Sequence, residues 1–303
     1  MNAGAIPQTA LLVLVPPLLL GVVTKTKAVF AGRVGPPLLQ PYFDLWKLAQ
    51  KGLVLSTQTT WVFRVGPIVA LAAVFAAGLL VPIGRAAAPV AFTGDLILFV
   101  YLLGLARFFT TAAALDTGSA FEGMGVSREL TFACLTEPAL FFALLMLARI
   151  SGSFDLAGIL HGPAGGFTAA VAAPLVLAAL GLFIVLLAEC SRVPVDDPAT
   201  HLELTMIHEV MVLDHSGPLL GAALYTAALK LYILAAVLIH VVSPSSTGAI
   251  AIEGALFVAK MIALAIAIGV LESMTARLRM KHVPYLLVGA ALASGFGFLL
   301  LVR

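Results

Sequence analysis

The segment Ala188–Glu209, AECSRVPVDDPATHLELTMIHE, holds the densest cluster of groups that could do chemistry. It carries the acids Glu189, Asp196, Asp197, Glu203 and Glu209 together with His201 and His208. It follows a run of almost purely apolar residues. Carboxylates and imidazoles at the end of such a run can exchange protons, pair with partner charges or hold a metal. Asp197 followed by Pro198 predicts a helix start, running toward Asp214 and ended by Gly217-Pro218. On that helix His201, His208 and His215 share a face but lie about 10 Å apart. One metal ion needs ligands nearer an i, i+4 spacing, so the pattern argues against a metal site. Leu202, Leu204, Met206, Ile207, Val210, Met211, Val212 and Leu213 give the segment too much apolar surface for a free loop.

A second group of ionisable residues lies inside apolar runs, where charge is costly and points to function. Lys230, Lys260, Glu137 and Asp95 fall there, while Glu189, His240 and Glu272 close such runs. Burial brings carboxylates and lysines toward the operating pH, and such groups with water form a proton path. The alternative is a set of internal ion pairs holding helices together, for example Glu137 with Lys230.

The elements that position these residues follow from composition. The 303 residues are 61% hydrophobic and 11% charged, with a mean hydropathy of +1.11. Soluble domains carry about 25% charged residues, so an all-α integral membrane protein of one domain, residues 1–303, is expected. Apolar runs predict eight spans, near 5–24, 64–83, 93–115, 130–149, 166–188, 218–241, 250–272 and 284–302. Basic residues concentrate in the connections after spans one, three, five and seven. Lys25, Lys27, Arg33, Lys47, Lys51 and Arg64 lie at the first, Arg107 and Arg128 flank the second, Arg192 is in the third, and Arg277, Arg279 and Lys281 are in the fourth. The basic bias places these connections in the cytoplasm and both termini outside, in a bacterial or archaeal cytoplasmic membrane. No internal repeat stands out, which disfavours an inverted-repeat transporter. Cys134 and Cys190 show neither metal nor redox spacing.

The first connection, KTKAVFAGRVGPPLLQPYFDLWKLAQKG, has irregular backbone at its glycines and prolines, then an amphipathic pattern over Tyr42–Gln50. That suits a short helix at the membrane interface or against a partner. The second, LDTGSAFEGMGVSREL, reads as a loop in which Asp116, Glu122 and Glu129 alternate with Phe121 and Met124.

These connections resemble those of a known family. AECSRVPVDDPATHLELTMIHEVMVLDHSGP, GRVGPPLLQPYFDLWKL and LDTGSAFEGMGVSRE are similar to the signature loops of the membrane subunit of group 4 [NiFe] hydrogenases, of the formate hydrogenlyase and hydrogenase-4 type. That family is related to subunit 1 of respiratory NADH:quinone oxidoreductase (complex I). The complex I form resembles AETNRAPFDLPE; Ala188-Glu189 and Arg192 with Pro194 follow it, whereas Cys190-Ser191 and Val195–Pro198 depart toward the hydrogenase branch. The resemblance implies a non-catalytic subunit that anchors a soluble redox arm and couples its electron transfer to proton translocation. It implies Glu189, Asp196, Asp197, Glu203 and Glu209 as coupling acids, and Arg33, Asp44, Glu129 and Arg192 as docking positions. Glu137, Lys230 and Lys260 join the path on membrane depth alone. Hydrogenase large and small subunits and antiporter-like membrane subunits are the implied partners, with no nucleic acid. The [NiFe] centre and iron–sulfur clusters would belong to those partners, and none to this chain. The competing readings are a quinone-reducing subunit of the complex I kind and a stand-alone transporter.

Overall fold

The computed structural model describes residues 5–84, 87–161, 169–197, 206–243 and 250–302. The ordered elements are helices: α1 Ala5–Phe30, α2 Gln40–Gln50, α3 Trp61–Leu80, α4 Asp95–Asp116, α5 Ala120–Ser151, α6 Leu156–His161, α7 Ala169–Glu189, α8 Gly217–Val242, α9 Ile250–Met274 and α10 Val283–Val302. Eight of these regions are long and apolar enough to cross a membrane, in the order the sequence predicts. The chain is an all-α integral membrane protein.

α8 occupies the centre, the most buried of the spans, packed against α1, α2, α3, α7 and α9. Lipid is as apolar as Leu, so membrane helices adhere through close packing at small residues. Gly66 of α3 lies against Ala113 and the Phe109 carbonyl of α4. Gly269 of α9 lies against Thr26 and the Val23 carbonyl of α1. Pro16 and Pro17 interrupt the hydrogen-bond ladder of α1 and free carbonyls one turn earlier. Tyr225 of α8 donates its hydroxyl to the Val13 carbonyl at 2.9 Å, and Tyr42 of α2 donates to that of Leu14. Val13 lies four residues before Pro17, so the proline break supplies the carbonyl on which Tyr225 of α8 docks.

The connections after α1, α4, α7 and α9 meet at one end of the bundle. Asp116 accepts from the Thr60 N–H (2.6 Å) and the Phe63 N–H (3.2 Å) and so caps α3. The Ser216 hydroxyl donates to the Val54 carbonyl and accepts the Val54 N–H, both at 2.9 Å. The Leu278 N–H donates to the Pro194 carbonyl at 2.9 Å. The amphipathic helix expected at 42–50 is present as α2, lying along α1 and α8. Its covered side is Pro41, Tyr42, Leu45 and Leu48, while Phe43 and Trp46 remain exposed.

Three expectations are corrected. The stretch after α4 is not an extended loop: α5 starts at Ala120, and Glu122 to Glu129 form its first turns. Gly125 is there because Val210 and the Ile207 carbonyl press on that face of α5. No continuous helix runs from Asp197 to Asp214: Asp197 and Met206–His208 are not helical, and a single 3-10 turn covers Glu209–Val212. Buried apolar side chains and the carboxylate of Asp196 hold Met206–Val212 and override helix propensity there, while the expected helix start leads into 198–205, outside the described residues. Gly217-Pro218 begins α8 rather than ending a helix, with Pro at the first turn where its missing N–H costs nothing.

Candidate functional site: a buried charge network beside two cavities

Arg107 sits near the middle of α4, and its guanidinium is buried among three carboxylates. It bonds Glu189 of α7 and Glu137 of α5 and lies 3.7 Å from Glu129 of α5. Lys230 of α8 bonds the other oxygen of Glu189 at 2.6 Å. The Thr136 hydroxyl donates to Glu189 at 3.2 Å. Four helices therefore converge on one carboxylate, Glu189. The expected pairing of Glu137 with Lys230 is not the one observed. Arg107 reaches between them, so Glu137 pairs with Arg107 and Lys230 with Glu189. Among these five groups two cations face three carboxylates, a formal surplus of one negative charge.

The network lines a cavity of about 60 Å³, with His208, His215, Ser191, Thr110 and Thr226 in its walls. That volume and lining suit a few water molecules. A larger space of about 500 Å³ adjoins it between α1, α2, α8 and the stretch after α7. Pro17, Leu20, Leu45, Leu220 and Leu224 make its apolar side, and Asp44, Arg192, Asp196 and Glu209 its polar side. Cys190, Ser191, His208, Val212 and Ala227 line both spaces.

The wall between them is built by the end of α7. The Arg192 N–H donates to the Leu187 carbonyl at 2.7 Å and the Ser191 N–H to that of Ala188 at 3.1 Å. This is a Schellman cap with Ser191, at φ 50°, in the left-handed position that favours glycine. The same cap ends α1, with Gly32 at φ 66° and the Arg33 N–H donating to the Ala28 carbonyl at 2.8 Å. His208 is held down to about 4, by burial first and then by nearby Lys230, so it is neutral at pH 7. His215 is also lowered by burial and stacks on Phe63 with ring centroids 4.1 Å apart. Burial pushes the Cys190 thiol up to about 12, which keeps it protonated.

A second ionic cluster ties the connections together. Glu272, its side chain fully buried at the end of α9, bonds Lys27 of α1 at 2.9 Å and Arg192 at 3.5 Å. Lys27 also lies 3.9 Å from Asp197. Asp196 bonds Arg277 at 2.7 Å and accepts the N–H groups of Asp197, Ile207 and His208. Burial raises the carboxyl of Asp196, and Arg277 and those N–H groups oppose the shift.

The residues singled out in the sequence therefore fall into several places. Glu137, Glu189 and Lys230 join one network, and Glu129, expected at a docking position, lies beside them. Asp196, Asp197 and Arg192 belong to the second cluster. Glu209 faces the larger space. Lys260 is remote, on α9, with its ammonium donating to the Ser243 carbonyl at 3.0 Å. Arg33 is exposed beside its cap, and Asp44 is exposed and accepts from the Gln40 side chain at 2.8 Å. Glu203 and His201 lie outside the described residues. Arg107, the hub, reads in the sequence as one of the basic residues flanking a connection. Its place inside the apolar run 93–115, nine residues before Asp116, is the signal that could have found it.

Comparison with known proteins fits this arrangement. The family model described as NADH dehydrogenase matches residues 5–303. Hydrogenase-4 component C of Escherichia coli (strain K12) is 33% identical over 240 residues, covering 79% of this chain and 75% of that protein. Formate hydrogenlyase subunit 4 of the same organism is 31% identical over 301 residues, covering 96% and 94%. A chain in the structure of the membrane-bound sulfane sulfur reductase, an archaeal respiratory membrane complex, shares the fold with a TM-score of 0.84 and 22% identity, over 98% of this chain and 99% of that one. The kinship read from the three loop motifs is borne out: this chain belongs to the NADH dehydrogenase family, on the side that includes the membrane subunits of hydrogenase-4 and formate hydrogenlyase.

Proposed function

We propose that the chain is the membrane-anchoring and energy-coupling subunit of a multisubunit membrane-bound [NiFe] hydrogenase of the formate hydrogenlyase kind. The end of the bundle formed by the connections after α1, α4, α7 and α9 faces the cytoplasm in this reading. It receives the soluble redox arm, whose large and small subunits carry the [NiFe] centre and iron–sulfur clusters. Both termini lie outside, and antiporter-like membrane subunits extend the complex in the bilayer. The observation that carries the reading is the network of Lys230, Glu189, Arg107, Glu137 and Glu129, which borders the cavity and reaches into the membrane-spanning part with one carboxylate in excess of its cations. Such an excess gives the network a place for a proton at modest cost. A redox event beside the cavity would move that proton by shifting the electrostatic balance around Glu189.

The test is the purified complex reconstituted in vesicles, with hydrogen evolution and proton uptake recorded together. Glu189→Gln keeps the size and one acceptor oxygen, and removes the charge and the other acceptor. The reading expects turnover with lost uptake, and unchanged uptake per hydrogen would overturn the coupling role.

A second reading has one observation in its favour. The space of about 500 Å³ is large enough for an apolar ring system, with leucines on one side and polar groups on the other. It supports a quinone-reducing role of the complex I kind. Sensitivity of turnover to quinone-site inhibitors would favour that reading, and indifference would leave the hydrogenase role alone.

A further inference from the structure

The two cavities share a wall, and among the described residues of that wall one side chain can both take up and give away a proton at ordinary pH. Cys190, Ser191, His208, Val212 and Ala227 face both spaces. Val212 and Ala227 are apolar. The Cys190 thiol is pushed up to about 12 by burial and stays protonated. The Ser191 hydroxyl does not titrate in the working range. His208 is left, with an imidazole that has a nitrogen on each side of its ring. Asp196 fixes where His208 stands by accepting its backbone N–H at 3.3 Å, and the 3-10 turn Glu209–Val212 follows directly. On one side of the wall Lys230, Glu189 and Glu129 line the smaller cavity. On the other, Asp44 and Glu209 line the larger space, and Asp44 is exposed at the end of the bundle. Protons from bulk water therefore reach the larger space, while the network with its spare carboxylate lies behind the wall.

We infer that His208 is the proton relay between the two cavities: its imidazole takes a proton from water in the larger space at one ring nitrogen and gives one up from the other nitrogen to water beside Glu189. The inference rests on the coupling role proposed above and adds the point at which the network is loaded. The step balances. The ring gains one proton and loses another, ends uncharged in its other tautomer, and resets when it turns over. The excess negative charge of the network draws the proton inward. His208 is held down to about 4 by burial and then by Lys230, so a proton taken up is passed on rather than trapped.

The test is the purified complex in vesicles, with proton uptake into the lumen recorded per hydrogen evolved. His208→Gln keeps a polar side chain that cannot be protonated, and uptake per hydrogen is expected to fall about tenfold while hydrogen evolution continues. Cys190→Ala, in the same wall, is expected to keep the ratio of the unsubstituted complex. His208→Ala opens room for a free imidazole to enter from the larger space. Added imidazole is expected to restore most of the uptake, measured against the unsubstituted complex in the same buffer. A packing role for His208 gives no such rescue, so its absence would overturn the relay. Loss of uptake in Cys190→Ala equal to that in His208→Gln would overturn the assignment to the imidazole. Uptake kept in His208→Gln but lost in Glu189→Gln would overturn the relay and leave the coupling role standing. Uptake kept in both would overturn the coupling role itself.

Discussion

The two ionic clusters use the same residue types to opposite ends. The cluster around Glu272 and Asp196 is balanced: Lys27, Arg192 and Arg277 face Glu272, Asp196 and Asp197. Its members come from the ends of helices and the turns after them, and backbone N–H groups complete the coordination of Asp196. The cluster around Glu189 is unbalanced, lies on the flanks of four helices and borders a cavity. The first fixes geometry, because every charge has a partner and none is spare. The second has the makings of a device, because it lacks one cation and adjoins space for water. Buried ionisable groups in a membrane protein therefore need sorting by charge balance and by access to water before any is assigned to a path.

The two clusters should differ most at Glu189. Glu189→Leu leaves Arg107 and Lys230 buried without their shared anion, and a loss of about 3–5 kcal/mol is expected, seen as failure to assemble or a collapse of Tm in detergent. Glu272→Gln is the matching change in the balanced cluster. It weakens the ties of α9 to Lys27 and Arg192, for a loss of about 2–3 kcal/mol, with proton coupling per turnover unchanged in whatever complex still assembles. Equal loss of coupling in both variants would erase the distinction.

A smaller effect is expected at Gly125, where a methyl group meets Val210 and the Ile207 carbonyl. Gly125→Ala should cost about 1–3 kcal/mol and raise the rate of hydrogen exchange over Ile207–Val212. The smallest effects separate the two Schellman caps. At Gly32 nothing lies within 4 Å of an added Cβ, so Gly32→Ala should cost about 1 kcal/mol through backbone strain alone. Ser191→Gly relieves the same strain and should be neutral or slightly stabilising by thermal unfolding.

The pH dependence follows from His208. Its folded value, about 4, is below the ordinary 6.5, so folding favours the neutral ring. The associated stability is complete above pH 6.5 and is lost as pH falls toward 4. Thermal melts between pH 7 and 4.5 should therefore show a fall in Tm that His208→Gln flattens.

The fold is legible in the sequence because membrane spans depend on long apolar runs and on little else. The eight spans follow directly from those runs, and the short helix expected at 42–50 from its amphipathic pattern. At Met206–Val212 the sequence pattern misleads because tertiary contacts outweigh local helix propensity. Asp196, which accepts the Ile207 and His208 N–H groups, and the apolar cluster of Met206, Val210 and Met211 with Val126 hold that segment. Glu137 and Lys230 are legible from depth alone, and Glu189 from the loop motif. Their connection is not, because a pairing between helices depends on helix rotation, which no one-dimensional pattern fixes. Arg107 escapes for a different reason: a basic residue in the half of a span nearer a connection looks like a flanking charge.

Proton uptake into the vesicle lumen per hydrogen evolved by the reconstituted complex separates the two clusters when Glu189→Gln is set beside Glu272→Gln. Glu189→Gln should abolish uptake into the vesicle lumen while hydrogen evolution continues, and Glu272→Gln should leave the ratio unchanged. Normal uptake in Glu189→Gln, or selective loss in Glu272→Gln, would contradict the coupling role of the Glu189 network.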